Sequence, residues 1–461
     1  MGIGTLIIFG ASGDLTQRLL LPGLGQLLDS KRGADFKLIG VGQDKLSDSV
    51  WRSRVASSFK AGGAKGARSQ KLARETTYVQ ADVTNQDDLR KVLALSTGTP
   101  AIYFALPPRV TIASCEALSK ISLPSGTVFG LEKPFGTDLR SAAALNRRLV
   151  KILPESQLHR VDHFLGKSTV LNVLGVRFAN RILEPIWNSE NIARVDIVFD
   201  ETLGLEGRAG YYDRAGALVD MIQSHLLLVI ALVAMEPPSS LDADDLRGSM
   251  AQVLRATRVF KGEPEHFSRR GRYTSGTIAG KKLPDYLKEQ GVDPKNRTET
   301  LAEVAFGIEN WRWSGVPFVL RSGKALGLAR KEIIVTFKDV PHLPKGFSGA
   351  TGPATLRIGL SPDVISLDLN INGEGNPFTI DRVVLETQFA SGDLAPYGEV
   401  LFGLLNNDPT LSVRADEIEE CWRIVAPVLT AWKHNKVDLE NYRAGSNGPA
   451  RWAKRALGAS Q

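Results

Sequence analysis

Through its first 133 residues the chain repeats one pattern: a short apolar run, a break at Gly, Pro or polar residues, then a stretch with helical spacing of its apolar residues. The runs are Thr5–Phe9, Phe36–Val41, Tyr78–Ala81, Ala101–Leu106 and Val128–Lys133. Continuous apolar strands of this kind are buried on both faces. Alternated with helices, they leave few folds besides a parallel sheet wrapped by helices.

The first run ends in Gly10-Ala11-Ser12-Gly13-Asp14-Leu15, and a helical pattern follows to about Leu28. Glycines there let the backbone approach a pyrophosphate, which then sits at the positive end of the helix. A G-x-x-G alone is usually a plain turn, but its place directly after an apolar strand favours a dinucleotide. The second run leads into Gly42-Gln43-Asp44, where such a fold meets the adenosine ribose. An aspartate at that point prefers ribose hydroxyls and repels a 2'-phosphate by roughly 1 to 3 kcal/mol after screening. NAD or dual use therefore stays open beside NADP, with Arg18 and Lys45 as the nearest cations. Asp44 as a plain cap of the following helix is the competing reading.

After about residue 155 the pattern changes to period two: Val195, Ile197, Phe199; Val304, Phe306, Ile308; Ile333, Val335, Phe337; Leu356, Ile358, Leu360; Ile365, Leu367, Leu369, Ile371. Such alternation marks an antiparallel sheet with one buried face. The expected fold is a Rossmann-type domain over 1–155 followed by an α+β domain over 156–461, built on a large, mainly antiparallel sheet packed against helices. An amphipathic helix is expected over 415–432, with Ile418, Val425 and Leu429 on one side. The stretch from Gly262 to Gly315 reads as loop-rich.

The 461 residues are long for a single core, and the net charge of +7 suits an anionic small molecule. Lys and Arg are scattered among nearly as many acids, which argues against nucleic acid. Cys115 and Cys421 offer no metal or disulfide framework and read as buried thiols in a reducing compartment. The longest apolar stretch, Leu226 to Met235, is about half a membrane span. A cytoplasmic protein with no membrane or nucleic-acid partner is expected.

The chemistry concentrates in Arg160-Val-Asp-His-Phe-Leu-Gly-Lys167 and in Asp220-Met-Ile-Gln-Ser-His225. If the first stretch is helical, His159, His163 and Lys167 share one face suited to a phosphate. A solvated helix face with an internal ion pair is the bland reading. A His on an apolar helix is likewise more often a core residue than a catalyst.

These stretches resemble the R-[IV]-D-H-[YF]-L-G-K and D-[MV]-[IVM]-Q-N-H motifs of the glucose-6-phosphate dehydrogenase family. Glu132-Lys-Pro-Phe-Gly136, Glu206-Gly-Arg-Ala-Gly-Tyr-Tyr-Asp213, Val316-Pro-Phe and Arg321-Ser-Gly-Lys324 follow in the family's order. The resemblance implies oxidation of glucose 6-phosphate at C1 with hydride transfer to NADP or NAD, in a homodimer or homotetramer. It implies His225 as general base and Asp162 as its partner, although spacing alone offers Asp220. It further implies His163 and Lys167 on the 6-phosphate; Glu201, Asp220 and Lys324 on the sugar; Lys133 on substrate and cofactor; and Arg330 as a further substrate contact. Gly10 to Leu15, Arg18, Gln43, Asp44, Asp82 and Val83 fall where the cofactor lies. Departures are Leu19 and Gln43 where the family carries cations, Phe164 for Tyr, Ser168 for Glu, Ser224 for Asn and Asn447 for Trp. A dehydrogenase of another sugar and a catalytically silent ligand-binding relative are the rivals.

Overall fold

The computed structural model describes residues 2–207, 209–349, 351–389, 392–454 and 457–458. Two compact units make up the chain, both discontinuous in sequence: Met1–Ser168, Pro238–Ser249 and Gly392–Glu419; and Thr169–Pro237, Met250–Ser391 and Glu420–Gln461.

The first unit is built on strands β1 (Ile3–Phe9), β2 (Lys37–Gly42), β3 (Thr77–Gln80), β4 (Thr99–Phe104), β5 (Val128–Leu131) and β6 (Leu158–Val161). They lie in the order β6-β5-β4-β1-β2-β3, all parallel, with Ser412–Val413 added antiparallel beyond β6. Successive side chains of β1 enter opposite layers: Leu6 and Ile8 pack with Leu24 and Trp51, and Ile7 and Phe9 with Val92 and Leu118. That two-sided burial is why these strands read as unbroken apolar runs. The five expected strands stand within two residues of their expected ends. β6 occupies part of the stretch whose His and Lys spacing suits a helix. β6 pairs with β5, and the first segment of this unit runs to Ser168.

The second unit carries an eleven-stranded, mainly antiparallel sheet. From one edge it runs Ser348–Gly349, Thr379–Gln388, Val364–Asn372, Thr355–Gly359, Arg330–Phe337, β7 (Ile192–Asp200), Phe318–Gly323, Leu301–Ile308, Ser268–Thr274 and Leu439–Arg443, with Thr257–Val259 also pairing with Leu301–Ile308. Val195, Ile197, Val304, Phe306, Ile333, Val335, Leu356 and Ile358 are buried, as their alternation implies. On Val364–Asn372 the alternation does not mark a buried face: Ile365, Leu367 and Leu369 are half-buried and Ile371 is exposed, while Ser366 on the opposite face is buried.

The stretch 262–315 is less loop-like than expected, since it contains Ser268–Thr274, a hairpin of Gly276–Ile278 with Lys281–Leu283, and Leu301–Ile308. Ser268-Arg-Arg-Gly-Arg-Tyr-Thr274 looks polar. Arg270 nevertheless is buried, donating to the carbonyls of Trp432 and Val437.

The helical run Ala209–Ala234 reaches a mean hydropathy of 2.0 and is long enough to cross a membrane, yet 89% of its apolar window is buried, as in a core helix. The late helix is Ala415–Lys433, with Ile418 and Val425 buried and Leu429 half-buried.

Candidate active site

Gly10 closes β1 with φ of 80°, and a Cβ there would overlap the Ala105 carbonyl, so the turn requires glycine. The Gly10 and Ala11 N–H groups donate to Val41 O at 2.9 and 3.0 Å, and the Gly13 N–H turns back to Gly10 O at 3.0 Å. Helix begins at residue 14, so the first-turn N–H groups at Asp14 and Leu15 lack helical acceptors and stand beside this loop. An anionic pyrophosphate fits that donor set. Asp14 and Arg18 pair at 3.4 Å on the surface, while Leu15 packs partly buried against the core.

At the end of β2, helix α2 (Asp48–Ala61) is capped by Ser47, whose hydroxyl accepts the Val50 N–H. Asp44 is therefore not the cap. Its carbonyl accepts from Tyr78 Oη at 2.9 Å, and its exposed carboxylate forms no hydrogen bond or ion pair among the described residues. The Gln43 carbonyl accepts from Gln80 Nε2 at 3.0 Å. The Thr84 N–H and hydroxyl hold the Asp82 carboxyl below its usual range, with the Gln43 side chain beside it. Val83 is a core residue.

β5 leads into Glu132 and half-buried Lys133, which precedes a cis bond to Pro134. Burial raises the Glu132 carboxyl, offset by bonds from the Tyr103 and Tyr397 hydroxyls.

The segment from Asp162 to Lys167 is a turn between β6 and the helix Ser168–Phe178, not a helix. His159 consequently sits on β6, 1% exposed, and shares no helix face with His163 and Lys167. Its Nδ1 lies 3.1 Å from Ser412 Oγ and its Nε2 3.4 Å from Asn407 Oδ1. Burial lowers its pKa to about 4, so the ring is neutral. His163 stacks on Tyr397, with ring centroids 5.8 Å apart, and Lys167 Nζ stands 4.1 Å over the Phe164 ring. Asp162, 2% exposed, accepts the Phe164 N–H at 2.8 Å. A Cβ on Gly166 would lie 2.7 Å from Pro396 O, which explains glycine in the turn.

In the second unit, Gly216 (φ 66°, ψ 176°) breaks the helical run ahead of a π-helix, Leu218–Leu226, that carries Asp220 and His225. Both side chains are buried. π turns inside helices often mark functional sites. The Ser224 hydroxyl donates to Val219 O at 2.7 Å, five residues back. Glu299 takes the Leu218 N–H at 3.0 Å, and burial raises its carboxyl to about 7.

β7 and Phe318–Gly323 are parallel neighbours, with Asp200 opposite Gly323. The next residues, Glu201 and Lys324, therefore meet in a 2.6 Å ion pair. Arg330 begins the strand on the other side of β7, opposite Asp200, and is exposed and paired with Glu332 at 3.1 Å. Sequence reading missed Glu299 and the Asp200–Arg321–Glu303 network. Burial raises the Asp200 carboxyl to about 6 despite its arginine. No local pattern announces either, since both depend on contacts distant in sequence.

Sequence models of two family domains match the chain: "Glucose-6-phosphate dehydrogenase, NAD binding domain" over residues 7–172 and "Glucose-6-phosphate dehydrogenase, C-terminal domain" over 174–459. The glucose-6-phosphate 1-dehydrogenase of Rhizobium meliloti (strain 1021) is 36% identical, with 96% of this chain and 94% of the relative covered. That of Gluconobacter oxydans (strain 621H) is 37% identical with the same coverage. The crystal structure of the Mycobacterium avium enzyme superposes with a TM-score of 0.86 at 35% identity, covering 99% of this chain and 96% of that one. A glucose-6-phosphate dehydrogenase solved with glucose 6-phosphate gives 0.89 at 29% identity, covering 98% and 97%. With both family domains matched in order and relatives above one-third identity along nearly its whole length, the chain belongs to the glucose-6-phosphate dehydrogenase family.

Proposed function

We infer that this chain is an oxidoreductase that oxidises D-glucose 6-phosphate at C1 to 6-phospho-D-glucono-1,5-lactone, the first step of the oxidative pentose phosphate pathway. The observation that carries this reading is the full-length family match across both domains. A nicotinamide dinucleotide, when bound, accepts the hydride from C1.

The chain's own residues do the rest. His225 takes the C1 hydroxyl proton on an imidazole nitrogen, and Asp162 fixes the tautomer and stabilises the imidazolium. His163 and Lys167 receive the 6-phosphate, a pairing that charge-assisted hydrogen bonds favour. Glu201, Asp220 and Lys324 take the sugar hydroxyls, with Lys133 and Arg330 as further contacts. The residues from Gly10 to Leu15, with Arg18, Gln43, Asp44, Asp82, Val83 and Lys133, make the cofactor site, for NADP or NAD.

A homodimer through the large sheet suits its uncovered apolar face. Leu367 pairs with Leu385, which is 58% exposed, and Leu369 with Val383; Ile371 is 45% exposed. Homotetramers follow if dimers pair. The buried Cys115 and Cys421 suit a reducing, cytoplasmic setting. The test is steady-state turnover of glucose 6-phosphate, glucose and other hexose phosphates with both nucleotides. Turnover of glucose 6-phosphate above the others is expected, and its absence in a protein that binds the ligands overturns the reading.

A further inference from the structure

The end of β2 presents an exposed carboxylate, Asp44, where a 2'-phosphorylated cofactor needs positive charge. Of the cations nearby in sequence, Arg18 pairs with Asp14, Arg52 donates to Thr76 O at 2.9 Å with Asp48 at 3.8 Å, and Lys45 is exposed, with no ion pair or side-chain hydrogen bond among the described residues to hold it in place.

Arg54 is different. It lies on α2, and its Nη1 donates to the carbonyl oxygen of Ser12 at 2.9 Å, inside the glycine turn. Among the described residues its guanidinium forms no ion pair and no other hydrogen bond, and the residue is half-buried. Four of its five N–H donors remain available. Ser12, Tyr78 and the end of β2 converge beside it: a Cβ on Gly42 would lie 2.7 Å from Tyr78 Oη and 3.3 Å from Ser12 Oγ. The Tyr78 hydroxyl bonds to the Asp44 carbonyl and senses both the Asp44 carboxylate and the Arg54 guanidinium. Two opposite charges thus flank one spot without pairing to each other.

We propose that Arg54 is the residue that admits a 2'-phosphate, its guanidinium receiving the dianion beside Ser12 Oγ while Asp44 favours unphosphorylated ribose. Cofactor choice is then set by these two side chains in competition. The Ser12 carbonyl holds the guanidinium in place before the ligand arrives, which reduces the ordering cost on binding. This rests on the dinucleotide-site reading above.

The experiment is calorimetric binding of 2',5'-ADP and 5'-AMP to the full-length wild type, Arg54→Gln and Arg54→Lys. Gln keeps a donor for the Ser12 carbonyl but loses the charge, so a mere brace of the turn survives it. The expected result is a fall of about tenfold or more in the 2',5'-ADP to 5'-AMP affinity ratio for Arg54→Gln, with Lys retaining most of the ratio. Asp44→Asn should move the ratio the other way. An unchanged ratio in Arg54→Gln, or loss of both ligands in equal proportion, overturns the proposal. If wild type binds neither nucleotide, the site reading itself fails, and the assignment of Arg54 with it.

Discussion

The Glu299 carboxylate accepts the Leu218 N–H at 3.0 Å, at the head of the π-helix that carries Asp220 and His225. Burial raises this carboxyl to about 7, and burial raises that of Glu417 to about 8. Each folded-state pKa lies above its ordinary value, so the folded chain holds these protons more tightly than the unfolded one. Their contribution is complete below about pH 4.5 and is lost as pH rises through about 7 to 8. Glu299→Gln keeps an acceptor for Leu218 and removes one titration. Urea unfolding from about pH 5 to 8 should show a shallower decline in stability for the variant. Equal slopes would contradict the assignment.

His159 titrates in the opposite sense. Its pKa is lowered to about 4, so the stability due to its neutral ring is present above about pH 6.5 and is lost as pH falls towards 4. His159→Gln should weaken that acid-side loss while leaving the KM for the sugar phosphate within about twofold. A large rise in KM would return His159 to the phosphate site.

Glu201 and Lys324 share their 2.6 Å ion pair with side chains only 21% and 14% exposed. Glu201→Gln and Lys324→Met should each raise the sugar-phosphate KM by about tenfold or more, since each loses a charge-assisted bond. In a double-mutant cycle on stability the two should couple by about 0.5 to 3 kcal/mol. Strict additivity would mean that the pair does not form in solution.

The parallel half of the fold was legible because strands buried on both faces leave unbroken apolar runs. The substrate-side geometry was less so. His159, His163 and Lys167 have helical spacing, yet β6 extends the sheet through pairing with β5, a contact no local pattern encodes. Asp44 before a helix looks like a cap, but Ser47 takes that role. The pairing of Glu201 with Lys324 follows from the parallel register of β7 against Phe318–Gly323, which only the assembled sheet reveals. Arg54, on an exposed helix rich in Ser and Arg, carried no signal at all.

Gly216 adopts φ 66° and ψ 176°, a region that only glycine occupies readily, and a Cβ there would collide with the Glu299 carboxylate. Gly216→Ala should therefore cost about 1 to 3 kcal/mol or more. A clear drop in the denaturation midpoint is expected; an unchanged midpoint would show that the break before the π-helix is dispensable.

The most direct measurement is the steady-state kinetics of wild type, His225→Asn and His163→Ala with glucose 6-phosphate. Loss of the proton acceptor should lower kcat by about 100- to 10,000-fold with little change in KM. Loss of the phosphate contact should chiefly raise KM. Normal kcat in His225→Asn, or a kcat collapse confined to His163→Ala, would contradict the assignment of His225 as the base.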